Sequence, residues 1–234
     1  MPTDSMLYDV TGLEKIYRIG TIETKALRGV DFQVERGEFT AIAGPSGSGK
    51  STLLHLMGAL DQPDAGEVLL AGERIDDLDK RSSARLRLRR LGFVFQAYNL
   101  IPVLSALENA AFVLELRGVA RVEREKRARE ALAALGMADF ADRRPNQLSG
   151  GQQQRVAVAR ALAGDPDIIL ADEPTANLDT ATGQQLIDLM RALNEERGVT
   201  FVFSTHDPRL LSHVRRIVRL EDGKVVGEEV PAAA

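Results

Sequence analysis

One run of eight residues, Gly44-Pro45-Ser46-Gly47-Ser48-Gly49-Lys50-Ser51, has the residue types and spacing needed to hold a chain of phosphates. Glycines let the backbone curl until several N–H groups point inward at phosphate oxygens. A helix beginning near Lys50 would add the positive end of its dipole. The Lys50 amine offers a point charge to the β- and γ-phosphates, and the Ser51 hydroxyl offers Mg2+ a ligand. The full G-x-x-x-x-G-K-[ST] spacing is met, with an apolar run at 39–43 before it. A glycine-rich turn that binds nothing is the alternative, and the strand-loop-helix context argues against it.

A second pair of chemical groups, Asp172 and Glu173, ends the apolar run 168–171. Ligands of open α/β sheets gather outside the carboxyl ends of the strands. At such a place Asp172 would help hold Mg2+ through its water shell, and Glu173 would polarise an attacking water as general base. Alone, Asp-Glu-Pro is equally a polar turn after a strand. Beside a phosphate loop it points to hydrolysis of a nucleoside triphosphate.

These groups need a scaffold, and the hydrophobic pattern supplies one. Val30, Phe32 and Val34 alternate with Asp31, Gln33 and Glu35, the pattern of a half-buried strand. Further strands are expected at 39–43, 67–70 and 92–95. The uninterrupted apolar runs 168–171 and 200–203 read as parallel strands buried on both faces. Helices are expected over 50–59, 105–135, 151–163 and 182–196. Residues 121–130 carry opposite charges at i,i+4, as on a solvated helix face. Asp222-Gly223 between two apolar runs signals a hairpin. The chain therefore reads as a mixed-sheet α/β core with a helical insertion at about 97–160.

Composition narrows the function. A net charge of −4 gives no basic field to draw the chain onto nucleic acid. The absence of cysteine excludes disulfides and thiolate metal sites and suits a reducing cytosol. No spacing among the three histidines suggests a metal-ligand set. No apolar run reaches the roughly 20 residues that span a bilayer, and residues 1–4 show no signal-peptide pattern. A role at a membrane would need a membrane partner.

Leu148-Ser149-Gly150-Gly151-Gln152 resembles the signature sequence of ABC ATPases, followed in family style by residues 153–162. Other family motifs stand in order: Tyr17 like the aromatic that stacks on adenine, Gln96 like the Q-loop glutamine, Ala176-Asn177-Leu178-Asp179 like the D-loop, and His206 like the switch histidine. The resemblance covers nearly the whole chain. It implies a single ABC ATPase domain over 1–234: an α/β fold with a P-loop NTPase (RecA-like) core at 1–96 and 161–234, an N-terminal antiparallel β-subdomain, and an inserted α-helical signature subdomain at 97–160. ATP and Mg2+ are the implied ligands. Nucleotide contacts are implied for Tyr17, the phosphate loop with Thr52, Ser149, Gly150, Gly151, Gln152 and Asp179. Metal contacts are implied for Ser51, Gln96 and Asp172, and catalytic roles for Lys50, Gln96, Glu173 and His206. Read without the family, Tyr17 is an ordinary strand aromatic and Gln96 a surface residue ending a strand.

The family arrangement is two cassettes sandwiching two ATPs head to tail, each ATP lying on the loop of one subunit and capped by the signature of the other. A second copy of the chain is thus an expected partner. Residues 92–109 resemble the branch containing lipoprotein-releasing, macrolide-export and cell-division ATPases, although Ala176 stands where branch members often have Gly. That branch implies a peripheral place at the cytoplasmic face of the cell membrane. It also implies an integral membrane permease docking near 96–109, with the apolar run 100–104 lining part of the groove. The basic stretch 80–90 fits membrane headgroups, the partner or a solvated helix face. The expected cargo is a lipoprotein, a lipid or an amphipathic compound. A cell-division complex gating cell-wall hydrolases is the alternative. A DNA- or ribosome-directed ATPase fits poorly, because there is one cassette, no heptad pattern and no basic face.

Overall fold

The computed structural model describes residues 5–231. Two long strands, β1 (Met6–Ile19) and β2 (Ile22–Glu35), form an antiparallel hairpin. β3 (Phe39–Ala43) leads through the glycine-rich loop into α1 (Lys50–Met57). β4 (Ala65–Leu70) and the two-residue β5 (Glu73–Arg74) return to the hairpin, giving a four-stranded antiparallel sheet of order β2-β1-β4-β5. α2 (Lys80–Arg90) and β6 (Leu91–Val94) follow. Next come three helices, α3 (Ala106–Leu116), α4 (Arg121–Ala134) and α5 (Gly150–Ala163). β7 (Ile168–Asp172), α6 (Thr180–Arg197), β8 (Phe201–Thr205), β9 (Arg216–Glu221) and β10 (Lys224–Glu229) complete the chain.

The second sheet has order β10-β9-β3-β8-β7-β6 and is parallel except for the β9–β10 hairpin. The hairpin turns where expected, with Asp222 and Gly223 both at positive φ. Alternation divides the buried strands between two cores. Phe39, Ala41, Ile169, Ala171, Phe201 and Phe203 face a cluster built with α3–α6. Ile42, Ile168, Leu170, Val202 and Val218 face a second cluster built with α1 and the antiparallel sheet. Strands apolar at every position are thereby buried on both sides, as parallel strands are. Phe39 lies at the centre of the first core, with ring centroids 5.6 Å from Phe201 and 5.3 Å from Phe203.

Two helix expectations are corrected. The stretch 105–135 is two helices, because α3 ends near Arg117 and Gly118 takes φ 75. That left-handed conformation stops a helix. The helix expected over 50–59 ends at Met57. A Cβ on Gly58 would stand 2.6 Å from the Phe93 ring, and Ala59 has left the helix at φ 48. The basic stretch 80–90 is helical and has no buried residue, but Arg87 donates to Ala59 O, and Arg90 pairs with Asp167 and Glu73.

Candidate active site

The loop between β3 and α1 is shaped by conformations that only glycine adopts freely. Gly47 stands at φ 82 and Gly49 at φ 106. A Cβ at Gly49 would also come 2.5 Å from Ala26 O. Gly49 is the N-cap of α1 and has no side chain to satisfy the first-turn N–H groups, and no acid lies in that turn. An uncapped helix start beneath a glycine loop offers unpaired N–H groups that suit an anion. The Lys50 amine is buried and donates to the carbonyls of Gly44 and Pro45, each at 2.9 Å. It also lies 3.8 Å from Glu173 Oε1.

The ends of β7 and β8 bring the acids to this loop. Ser51 Oγ donates to Asp172 Oδ1 at 2.9 Å. The hydroxyl of Ser204 donates to the same oxygen at 2.7 Å and accepts from Glu173 N at 2.8 Å. Glu173 has φ 46. For a residue with a side chain that conformation costs on the order of 1–3 kcal/mol and survives only where neighbours enforce it. His206 Nδ1 lies 2.9 Å from both Glu173 carboxylate oxygens.

A cleft of about 530 Å³ opens over these groups. Tyr17, Ser46, Gly47, Gly49, Lys50, Ser51, Thr52, Gln96, Glu173 and His206 line it, joined by Thr24, Lys25 and Ala26 of β2 and by Ala176. Tyr17 is 37% exposed at its rim, and its hydroxyl donates to Asp61 at 3.1 Å. Burial, with help from the Asp61 carboxylate, holds the phenol above its ordinary pKa. Burial opposes the Asp61 charge, but the Lys15 ammonium and the Gln62 N–H outweigh it and lower that carboxyl. Gly44, Pro45 and Ser48 shape the loop without lining the cleft. Ser48 Oγ is buried and makes no hydrogen bond.

The signature residues lie elsewhere. Ser149 caps α5 in a reciprocal box: Gln152 N donates to Ser149 Oγ at 3.3 Å and Ser149 N to Gln152 Oε1 at 2.9 Å. Ser149, Gly151 and Gln152 border a separate cleft of about 220 Å³ with Thr182. Gly150 lies beneath the Tyr98 hydroxyl, and a Cβ at Gly151 would collide with Thr182 Cγ2. Asp179 caps α6 through Thr182, whose hydroxyl donates to it at 2.6 Å. Asp179 lines neither cleft, and Thr182 links it to the signature side. Thr182 hydrogen bonds hold its carboxyl below the ordinary range.

Sequence reasoning gave no role to Ser204, which orients both acids, or to the buried amide of Gln154. Asn177 also reaches the site, donating to Gln96 O at 2.9 Å. The one signal available for Ser204 was a hydroxyl ending an apolar strand.

The paired Ser51 hydroxyl and Asp172 carboxylate are hard oxygen donors. Among the described residues no group of three or more His, Cys, Asp or Glu could hold a metal. That donor set fits Mg2+, which takes one or two protein oxygens and completes its shell with phosphate and water.

Fold and cleft together define a P-loop nucleoside triphosphatase. The sequence profile of the ABC transporter family matches residues 27–176. An ABC transporter ATP-binding protein of Thermotoga maritima is 53% identical over 215 residues, covering 92% of each chain. A lipoprotein-releasing system ATP-binding protein, LolD 1 of Caulobacter vibrioides, is 47% identical over 219 residues, covering 93% of each. The ATP-binding cassette MJ0796 of Methanocaldococcus jannaschii, solved as a dimer in a post-hydrolysis state with ADP and Pi, superposes with a TM-score of 0.89 at 45% identity, covering 97% of this chain and 99% of that one. The chain belongs to the ABC transporter family, as its ATP-binding, ATP-hydrolysing subunit.

Proposed function

We propose that two copies of this chain close head to tail on two ATP molecules, and that the cycle of closing and opening drives a separate membrane permease. The observation carrying this reading is the separation of the two halves of the site. Within one chain the phosphate cleft and the Ser149–Gly151 cleft share no lining residue. The α5 start is a second glycine-bearing helix N-terminus with no phosphate group of its own chain to cap. A second copy supplies one. The relative solved as a dimer, in one case with ADP and Pi, supports the pairing of two copies.

In this reading the N–H groups of the 44–51 loop and α1 hold the β- and γ-phosphates, with Tyr17 against the base. Lys50 leaves the Gly44 and Pro45 carbonyls for phosphate oxygens and stabilises charge there. Glu173 accepts a proton from the attacking water, Gln96 orients that water, and His206 contacts the γ-phosphate. Mg2+ held by Ser51 and Asp172 would neutralise charge on the β- and γ-oxygens. After hydrolysis the caps lose their anion and the dimer opens.

The permease would dock on an apolar cleft of about 380 Å³ lined by Leu88 of α2, Phe93, Phe95, and Phe112, Val113 and Leu116 of α3. The run 100–104, expected to line such a groove, does not border this one. Buried Asn109 ties it down, donating to the carbonyls of Ile101, Leu104 and Ser105 and accepting from Ile101 N. Leu100 packs on the core, while Pro102 and Val103 are exposed, Val103 at 71%. Among the described residues no helix is long and apolar enough to cross a membrane, so the permease supplies the membrane part and the chain sits on its cytoplasmic side. The lipoprotein-releasing relative favours extraction or export of a lipoprotein, lipid or amphipathic compound. The test is copurification from solubilised native membranes with the Glu173→Gln chain and ATP. A permease with four predicted spans and a large extracytoplasmic domain is the expected partner. An importer-type permease with a soluble binding protein contradicts the export reading.

A further inference from the structure

Gln154, on the first turns of α5, is completely buried. Its Nε2 donates at 2.7 Å to Pro174 O, the carbonyl just after Glu173. The same nitrogen lies 3.4 Å from Phe95 O, the carbonyl just before Gln96. Its Oε1 is buried and makes no hydrogen bond. Flipping the amide would set an oxygen against two carbonyl oxygens, so the orientation follows from the chemistry. An apolar side chain would fill this space without leaving an acceptor unmet, and an unmet buried acceptor is costly. The amide therefore has to be explained by what it holds.

It holds two segments with little slack of their own. Glu173 is at φ 46, and Tyr98 and Asn99, just beyond Gln96, are at φ 59 and 50. Arg160, two turns further along α5, donates to the carbonyls of Tyr98 at 3.0 Å and Asn99 at 2.5 Å. The start of α5 carries Ser149 and Gly151, while its buried face grips the backbone beside Gln96 and beside Glu173. Any tilt of α5 must move both carbonyls.

We propose that Gln154 is a positioning residue that couples the two composite sites of the ATP-bound dimer. Seating of the Ser149–Gly151 turn on the nucleotide of one copy fixes α5. Gln154 passes that placement to the Glu173 turn and the Gln96 strand end of its own subunit, readying the other site. The inference rests on the proposed reading of α5 as the cap over the second copy's nucleotide.

The test uses the full-length chain as its dimer, with ATPase rate measured against ATP concentration. Gln154→Met keeps the volume and removes both hydrogen bonds. We expect kcat to fall about tenfold, the Hill coefficient to drop from near its two-site limit of about 2 toward 1, and KM and ADP affinity to stay within about twofold. Unchanged kcat and Hill coefficient overturn the proposal. So does a loss of nucleotide affinity and melting temperature in step with kcat at an unchanged Hill coefficient, since that is lost folding. Gln154→Glu is the second variant. Protonated, it still donates to Pro174 O; ionised, it cannot. Its rate relative to the parent chain should fall as pH rises, whereas a space-filling role gives a flat ratio and overturns the proposal. Glu173→Gln in parallel separates the two readings. If it turns over like the parent, the site reading fails whatever Gln154 does. If it is inactive and Gln154→Met is unaltered, the coupling proposal alone fails.

Discussion

His206 Nδ1 stands 2.9 Å from each carboxylate oxygen of Glu173. A carboxylate only accepts, so Nδ1 carries the proton. Lys50 Nζ lies 3.8 Å from Glu173 Oε1, so the carboxylate has a ring N–H and a cation beside it before any nucleotide arrives. His206→Ala should leave it turning freely. The expected result is a kcat lower by about a hundredfold with nucleotide affinity near that of the parent, read by steady-state ATPase and equilibrium binding. His206→Gln, which keeps a donor, should recover part of the loss.

Ser204 is the shared hinge pin of the two acids. Its hydroxyl serves Asp172 and Glu173 N together and is fully buried. Ser204→Ala removes one donor and one acceptor, for a stability loss of about 1–3 kcal/mol in denaturant unfolding. The ATPase rate should fall about tenfold or more, because a displaced carboxylate loses its aim.

Thr182 joins the signature helix to α6. Its methyl stands where a Gly151 side chain would go, and its hydroxyl holds Asp179. Gly151→Ala should therefore destabilise the chain by about 1–3 kcal/mol through overpacking. Thr182→Ser deletes the colliding methyl and keeps the hydroxyl, so the double variant should regain most of that loss. A double variant as unstable as Gly151→Ala alone would place the strain elsewhere.

Acid should loosen this corner and, separately, the start of α3. Thr182 holds the Asp179 carboxyl below its unfolded value, and the Ser105 backbone and hydroxyl do the same for Glu108. A depressed carboxyl stabilises the fold fully above its unfolded pKa of about 4, and that contribution is lost as pH falls through the lower native value. Asn also caps a helix but does not titrate. Melting curves of Asp179→Asn should lie below those of the parent at neutral pH and converge with them in acid.

Local chemistry explains why so much was readable beforehand. The loop over 44–51 stands out because its backbone takes positive φ at Gly47 and Gly49, and because Lys50 and Ser51 follow directly in sequence. Strands such as β3, β7 and β8 show as unbroken apolar runs because both faces are buried. What stayed hidden depends on distant partners. Ser204 meets Asp172 across 32 positions and Gln154 meets Pro174 across 20, and neither has a local pattern. The break at Gly118 was masked by good helix formers on both sides. That Asn109 ties 101–105 to α3 likewise has no signature in the periodicity of the sequence.

In the proposed dimer the site is completed only by a second copy. The most direct test is the mass of the Glu173→Gln chain in solution with and without Mg-ATP, by sedimentation velocity. A dimer of twice the 25.5 kDa chain mass is expected with Mg-ATP, its return to monomer with ADP, and no such dimer for Glu173→Gln carrying Lys50→Ala. A Glu173→Gln chain that binds ATP yet stays monomeric, or hydrolyses it at the parent rate, would contradict the account.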